Sequence, residues 1–398
     1  MFSEKLSNKK LILFLVLLGI FLFVLPLGRQ DIMLKAEARI GIMAKHAIAT
    51  GEYLTLRLDD EIYLKKPPLF HWLVMGTSRI AGHVSEFTIR FPSGVAALLC
   101  LITLFLFGQN YFDRKTAFLA SLILATNFRF LELAKISRVD MLLCFWILLS
   151  FALIHTAYKT RSMKYFYLSV GATGLAFLTK GPVGVILVYI PFFVFWFSNK
   201  SFRKCFRLTH LWRGLAVFLL IASPWYLYVI LKIPGALDTF LNETLGRFRD
   251  QTDHVKVLWY LPFQLLLDFM PWTVFAGIAG LSIFKKKNFW RSEKILALIT
   301  IVVTTLVFLS LSRSKQGTYL LPALPILSLL GAKILYEAFQ ALKNPRLRNI
   351  YLFIPFYGML IYHFIDTAFV LPYWNTTSSY KPSSHIISAI SKDHPLYA

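Results

Sequence analysis

The chain has 398 residues, 57% of them hydrophobic and only 16% charged, where a soluble domain carries about 25% charged residues. The polar residues cannot cover that much apolar surface, so the excess faces lipid and the chain is read as an all-α integral membrane protein. The formal charge of +23 comes without a basic recognition module, stacking motif or zinc pattern, which argues against nucleic acid as a partner and for anionic lipid and membrane topology. Cys100 and Cys144 fall in apolar runs and Cys205 in a basic loop, so no disulfide framework or metal spacing is expected.

In chain order, lysines precede LILFLVLLGIFLFVLPL, but no small-x-small cleavage site follows, and the run is read as an uncleaved first helix. Further apolar runs near 91–108, 117–133, 141–158, 165–179, 183–198, 214–231, 258–284, 294–311, 319–340 and 350–371 bring the total to about eleven expected spans. A cytoplasmic N-terminus then puts QNYFDRKT, YKTRSMK, NKSFRKCFRLTHLWR, FKKKNFWRSEK and KNPRLRN on the cytoplasmic side, all basic and short. The loop 29–90, ISRVD, TKGP, 232–257, SRSKQG and the tail from 372 lie outside. The expected organisation is a transmembrane core over 1–371 that includes the outer loop 29–90, followed by a short extracytoplasmic tail over 372–398.

The outer loop carries most of the polar chemistry. Glu37, Ile40, Ala44, Ala47 and Ile48 recur at helical spacing, which predicts an amphipathic helix over 34–49 lying on the outer membrane surface and ended by Gly51. In YLKKPPLF, two prolines are expected to hold the chain extended and to present Lys65 and Lys66 to an anion. Ser85 is read as the N-cap of the next span, with Glu86 and Arg90 paired one turn apart. Asp140 sits at the mouth of its span and Lys180 at a Gly-Pro junction. Arg313, Lys315 and Tyr319 open the run LLPALP, where cations can neutralise a phosphate. Asp268, deep in LLLDFMPW, is expected to face a polar partner inside the bundle.

The ordered motifs AEAR, ATGEY, YLKKPPLFHWL, SEFTIRFPS, SRVDM, LTKGP, SPWY, DHVKVLWYLPF with MPW, and SRSKQGTYLLPALP resemble those of the type C glycosyltransferases that use polyprenyl-phosphate sugars. The similarity is to the branch of lipid A aminoarabinose transferases and bacterial relatives of protein O-mannosyltransferases, and it runs from about residue 29 to about residue 330. It implies a type C glycosyltransferase core, a polyprenyl-phosphate-linked sugar as donor, and a lipid, glycan or protein acceptor outside the bacterial inner membrane. It also implies an acidic residue in the first outer loop near the reacting centre. The family's Asp-Glu motif aligns with Ala36 and Glu37, with Arg39 matching two residues on, so either Glu37 or Asp31 takes the role or catalysis is weakened or lost. Glu37 and Asp140 are therefore the expected catalytic carboxylates. Arg39, Tyr63, Lys66, Lys180, Arg247, His254, Arg313, Lys315 and Tyr319 are the expected substrate-binding residues. No cofactor is identified; a divalent metal stays open, because a family histidine aligns with His254 while Lys65 replaces the acid some relatives pair with it. The alternative function is a non-catalytic or transport protein that binds polyprenyl lipid on the same scaffold. Because relatives often continue into a soluble outer domain, the tail is expected to mean reduced acceptor recognition or a truncated frame.

Overall fold

A computed structural model describes residues 7–58, 61–249, 256–312, 314–341 and 345–378. The described residues are almost wholly helical. In chain order the elements are α1 Asn8–Gly19, α2 Lys35–Thr50, the two-residue strands β1 Arg57–Leu58 and β2 Glu61–Ile62, α3 Leu69–Ala81, α4 Glu86–Tyr111, α5 Arg114–Ala125 and α6 Phe128–Ala134. Next come α7 Val139–Thr160, α8 Met163–Lys180, α9 Pro182–Ser198, α10 Lys200–Cys205, α11 Leu208–Lys232 and α12 Ala236–Arg249. The last are α13 Tyr260–Asp268, α14 Trp272–Ile283, α15 Lys287–Trp290, α16 Glu293–Leu311, a 3-10 segment Gly317–Ala323, α17 Leu324–Ala341, α18 Pro345–Ile365 and α19 Leu371–Ser378.

Each expected apolar run coincides with one of these helices or with a bent pair. Among the described residues, six helices are long and apolar enough to cross a membrane, or eight if the pairs α5–α6 (bent 64°) and α13–α14 (bent 98°) each count as a span. The multi-pass architecture therefore stands on six to eight spans by length and composition, where the apolar runs suggested about eleven. The difference has local causes. α1 gives way after 12 residues to a π-turn at Ile20–Val24. α8 spends Ser169, Gly171, Thr173 and Gly174 on packing against its neighbours: the Ser150 hydroxyl lies 3.2 Å from that of Thr173, and a Cβ on Gly174 would meet Ile221 at 3.0 Å.

α2 forms as expected and ends at Gly51, whose φ of 79° only glycine adopts without strain. Its inner face, Glu37, Ile40, Met43, Ala44 and Ala47, is buried against α3 and α4. Ser85 caps α4 as expected, its hydroxyl accepting from Thr88 N while the Thr88 hydroxyl accepts from Ser85 N. Pro92 inside α4 has no N–H to give the Thr88 carbonyl four residues back; the Thr77 hydroxyl donates there instead, at 2.9 Å. The proline pair departs from expectation: Pro68 is helical in φ and ψ (−85°, −17°) and starts α3, since a ring-fixed φ suits a helix entry.

Candidate active site

Cation and apolar wall meet in a cavity of about 340 Å³. Its polar lining is Lys65 and Lys66 from the turn before α3, Asp140 from the first turn of α7, Lys180 from the last residue of α8, Glu243 from α12 and Tyr319 from the 3-10 segment. Its apolar wall is Leu143, Phe177, Ile186, Leu187, Phe308 and Leu309. Gly181 and Pro182 turn the chain between α8 and α9 at this point; Gly181 has φ +75°, and Pro182 opens the following helix.

The electrostatics centre on Asp140. Lys180 Nζ donates to Asp140 Oδ1 at 2.5 Å and Arg138 Nε to Oδ2 at 3.1 Å, with the carboxylate 4% exposed. Lys180 Nζ also sits 4.4 Å from the Tyr319 ring centroid, so one ammonium is held between a carboxylate and an aromatic face. The wall carrying Lys66 is tied down from two sides, Trp72 Nε1 donating to Tyr53 O at 2.7 Å and Trp225 Nε1 to Leu54 O at 2.9 Å. Behind it His71 is buried. Burial first, and the Lys66 charge beside it, hold its imidazole down to about 4, so it is neutral at physiological pH.

Glu37 lies elsewhere. It is 2% exposed and takes the Arg90 guanidinium in both oxygens, Nε to Oε1 and Nη2 to Oε2, each at 2.9 Å. Arg90 thus pairs across the fold with Glu37, 53 residues back, where the sequence suggested Glu86. Glu37 Oε1 also accepts from Ser137 N at 2.7 Å, and the Ser137 hydroxyl donates to Ile89 O at 2.7 Å. Arg138 N donates to the Ser93 hydroxyl at 3.4 Å. The conspicuous acid of the outer loop therefore fixes residues 137 and 138, and through them the start of the helix that carries Asp140. It does not line the cavity.

Of the other expected residues, Lys66, Asp140, Lys180 and Tyr319 are brought together. Arg39 is exposed on α2, away from the cavity lining. Tyr63 is half-buried and packs its ring 6.1 Å from that of His71. Lys315 is buried and donates from Nζ to Lys256 O at 2.9 Å, tying the segment before α13 to the 3-10 entry. His254, Arg313 and the side chain of Arg247 lie outside the described residues. Among the described residues no cluster of three His, Cys, Asp or Glu is placed to hold a metal. Sequence reasoning passed over Arg138, adjacent to SRVDM's acid, and Glu243 in the polar stretch NETLGRF; only the fold shows that both approach the cavity end.

Residues 65–228 match the family model described as dolichyl-phosphate-mannose-protein mannosyltransferase. The chain is 28% identical over 359 residues to undecaprenyl phosphate-alpha-4-amino-4-deoxy-L-arabinose arabinosyl transferase 2 of Proteus mirabilis, covering 87% of this chain and 62% of that protein. It is 25% identical over 343 residues to the corresponding transferase of Shewanella sediminis, covering 84% and 61%. The chain therefore spans about six tenths of the length of these relatives. In fold it is similar to ArnT from Cupriavidus metallidurans bound to undecaprenyl phosphate, with a TM-score of 0.74 at 21% identity over 89% of this chain and 63% of that one. It is also similar to the oligosaccharyltransferase AglB from Archaeoglobus fulgidus, with a TM-score of 0.58 at 13% identity over 90% and 56%. With motif order, sequence similarity and fold in agreement, the chain is a multi-pass membrane protein that resembles the type C polyprenyl-phosphate-sugar glycosyltransferases, with its sequence similarity lying toward the aminoarabinose transferases and protein mannosyltransferases.

Proposed function

We propose that the chain is a glycosyltransferase that moves a sugar from a polyprenyl phosphate carrier to a lipid A, glycan or protein acceptor at the outer face of the bacterial inner membrane. The observation that carries this reading is the cavity itself, whose lining joins Lys65, Lys66, Lys180 and Tyr319, with Asp140 and Glu243, to an apolar wall. A polyprenyl phosphate has the same two parts, an anionic head and a hydrocarbon tail. In this reading the cavity mouth opens to the periplasm and the remaining short helices complete about eleven spans, which the alternation of basic loops supports.

When the bond from sugar to lipid phosphate breaks, negative charge returns to the phosphate oxygen. Lys66 and the Lys180 ammonium, both lining the cavity, stabilise that charge. For a hydroxyl acceptor, Asp140 takes the proton as the acceptor oxygen bonds to the anomeric carbon. The Asp140 carboxylate is already engaged by Lys180 and Arg138, and approach of the phosphate draws Lys180 toward the new anion and frees one oxygen. An acceptor that is itself a phosphate needs no such base.

The test is transfer by the purified chain in lipid nanodiscs, with undecaprenyl phosphate 4-amino-4-deoxy-L-arabinose as the first donor and isolated lipid A, glycan and envelope protein fractions as acceptors. Glycosylated product that disappears in Lys66→Ala, and with a hydroxyl acceptor also in Asp140→Asn, is expected. Undecaprenyl phosphate binding without transfer to any acceptor class would support the carrier-binding alternative instead.

A further inference from the structure

Asp268 has no part in the chemistry above, yet it is 3% exposed in its side chain and sits at the break between α13 and α14. Its Oδ1 accepts from Gln264 Nε2 at 2.6 Å and from Arg129 Nε at 3.0 Å. Among the described residues its Oδ2 has no hydrogen-bond partner, so a single oxygen carries both of the side chain's contacts. Arg129 belongs to α6, just past the other helix break. The two breaks are stitched together by three further bonds: Asn127 Nδ2 to Asp268 O at 3.0 Å, Phe128 N to Met270 O at 3.2 Å, and Trp272 Nε1 to the Thr126 hydroxyl at 3.1 Å.

The junction also touches the candidate site. Gln264, oriented by Asp268, lies against Gly317, where an added Cβ would meet Gln264 Cγ at 3.2 Å and Cδ at 3.4 Å. Gly317 is the first residue of the 3-10 segment that carries Tyr319 over the Lys180 ammonium. A 3-10 turn has poorer hydrogen-bond geometry than an α-helix and takes its position from what packs on it. Here that support includes α13, α6, α7 and α16.

The geometry points to Asp268 as a positioning residue: through Gln264 and Gly317 it sets where Tyr319, and with it the Lys180 ammonium, meets the lipid phosphate. This inference rests on the donor reading of the cavity. A charged group buried beside an apolar helix break persists where it has partners, and Asp268 has two that lead to different elements. Its placement couples the two broken helices to the residue that closes the cavity's polar end.

The experiment measures undecaprenyl phosphate binding and thermal unfolding of the full chain in nanodiscs. Asp268→Ala and Gln264→Ala are expected to weaken binding about tenfold at temperatures where they remain folded. Asp268→Asn keeps the accepting oxygen and is expected to stay within about threefold of the parent chain. Gly317→Ala removes no polar partner and presses first on Gln264, so it serves if Asp268→Ala does not fold, and it is expected to weaken binding with little change in unfolding temperature. In the Tyr319→Ala background, Asp268→Ala is expected to add little, since coupled residues act as one. Additive losses in that double variant, or unfolding temperatures that fall while binding holds in Asp268→Ala and Gly317→Ala, would overturn the assignment while leaving the donor reading intact. Failure of the parent chain to bind undecaprenyl phosphate, or binding unaffected by Tyr319→Ala, would remove both.

Discussion

Glu37→Gln separates a structural acid from a working one. The Glu37 and Arg90 side chains are each 2% exposed and joined by two bonds of 2.9 Å, so solvent screening does not discount the pair. Glutamine can offer one oxygen to Arg90 but must turn its own NH2 toward the guanidinium or toward Ser137 N, which Glu37 also holds. The Arg90 charge then remains buried with no carboxylate beside it, its acceptors being one amide oxygen and the carbonyls of Leu27, Gln30 and Asp31. Removing one partner of a buried ion pair costs about 3–5 kcal/mol, and the surviving carbonyls place this case near about 3 kcal/mol. The assay is heat-induced unfolding in detergent micelles, with transfer measured well below the transition. Lower unfolding temperature with transfer retained in the cold is the expected result. Glu37→Met combined with Arg90→Met should recover much of the lost stability, because an apolar pair of similar volume leaves no orphan charge. Unchanged stability with transfer abolished would refute the reasoning and return Glu37 to the chemistry.

Lys66→Ala should weaken donor binding by about 2 kcal/mol, roughly thirtyfold, with little effect on unfolding, as measured by lipid titration of the nanodisc-embedded protein. His71 is held to about 4, below its ordinary 6.5, so the unfolded chain takes up the proton first as pH falls. Stability is then lost progressively from pH 6.5 to about 4, by about 3 kcal/mol in all, and His71→Gln should flatten that part of the curve of unfolding temperature against pH. Gly94→Ala puts a Cβ 2.7 Å from the Phe23 carbonyl oxygen, backbone that cannot swing aside, and should destabilise by about 1–3 kcal/mol in the same unfolding assay.

The helices and much of the site were legible because their signals are local. Apolar runs, the Ser85 cap and the Gly51 stop each act within a few residues, and all appear where expected. Lys66, Asp140, Lys180 and Tyr319 could be picked out because each is a polar residue at the end of an apolar run, and such ends converge at one side of a bundle. Glu37 shows what the sequence hides. Its helical face and its charge were both visible, but not that Arg90 on α4 would claim it instead of a substrate. The same holds for Asp268, whose need of a polar partner was evident although Arg129 and Gln264 as those partners were not. The span count was legible only in part for a related reason, since hydropathy does not say whether small polar residues such as Ser169 and Thr173 in α8 face lipid or a neighbouring helix.

Photo-crosslinking asks whether this cavity holds the lipid phosphate end of a sugar carrier. A polyprenyl phosphate analogue with its photoreactive group beside the phosphate would be irradiated on the nanodisc-embedded chain and the labelled peptides mapped by mass spectrometry. Label is expected on residues 64–67 and around Lys180 and Tyr319, competed away by undecaprenyl phosphate and lost in Lys66→Ala. Label confined to other surfaces, or label that excess undecaprenyl phosphate does not displace, would contradict it.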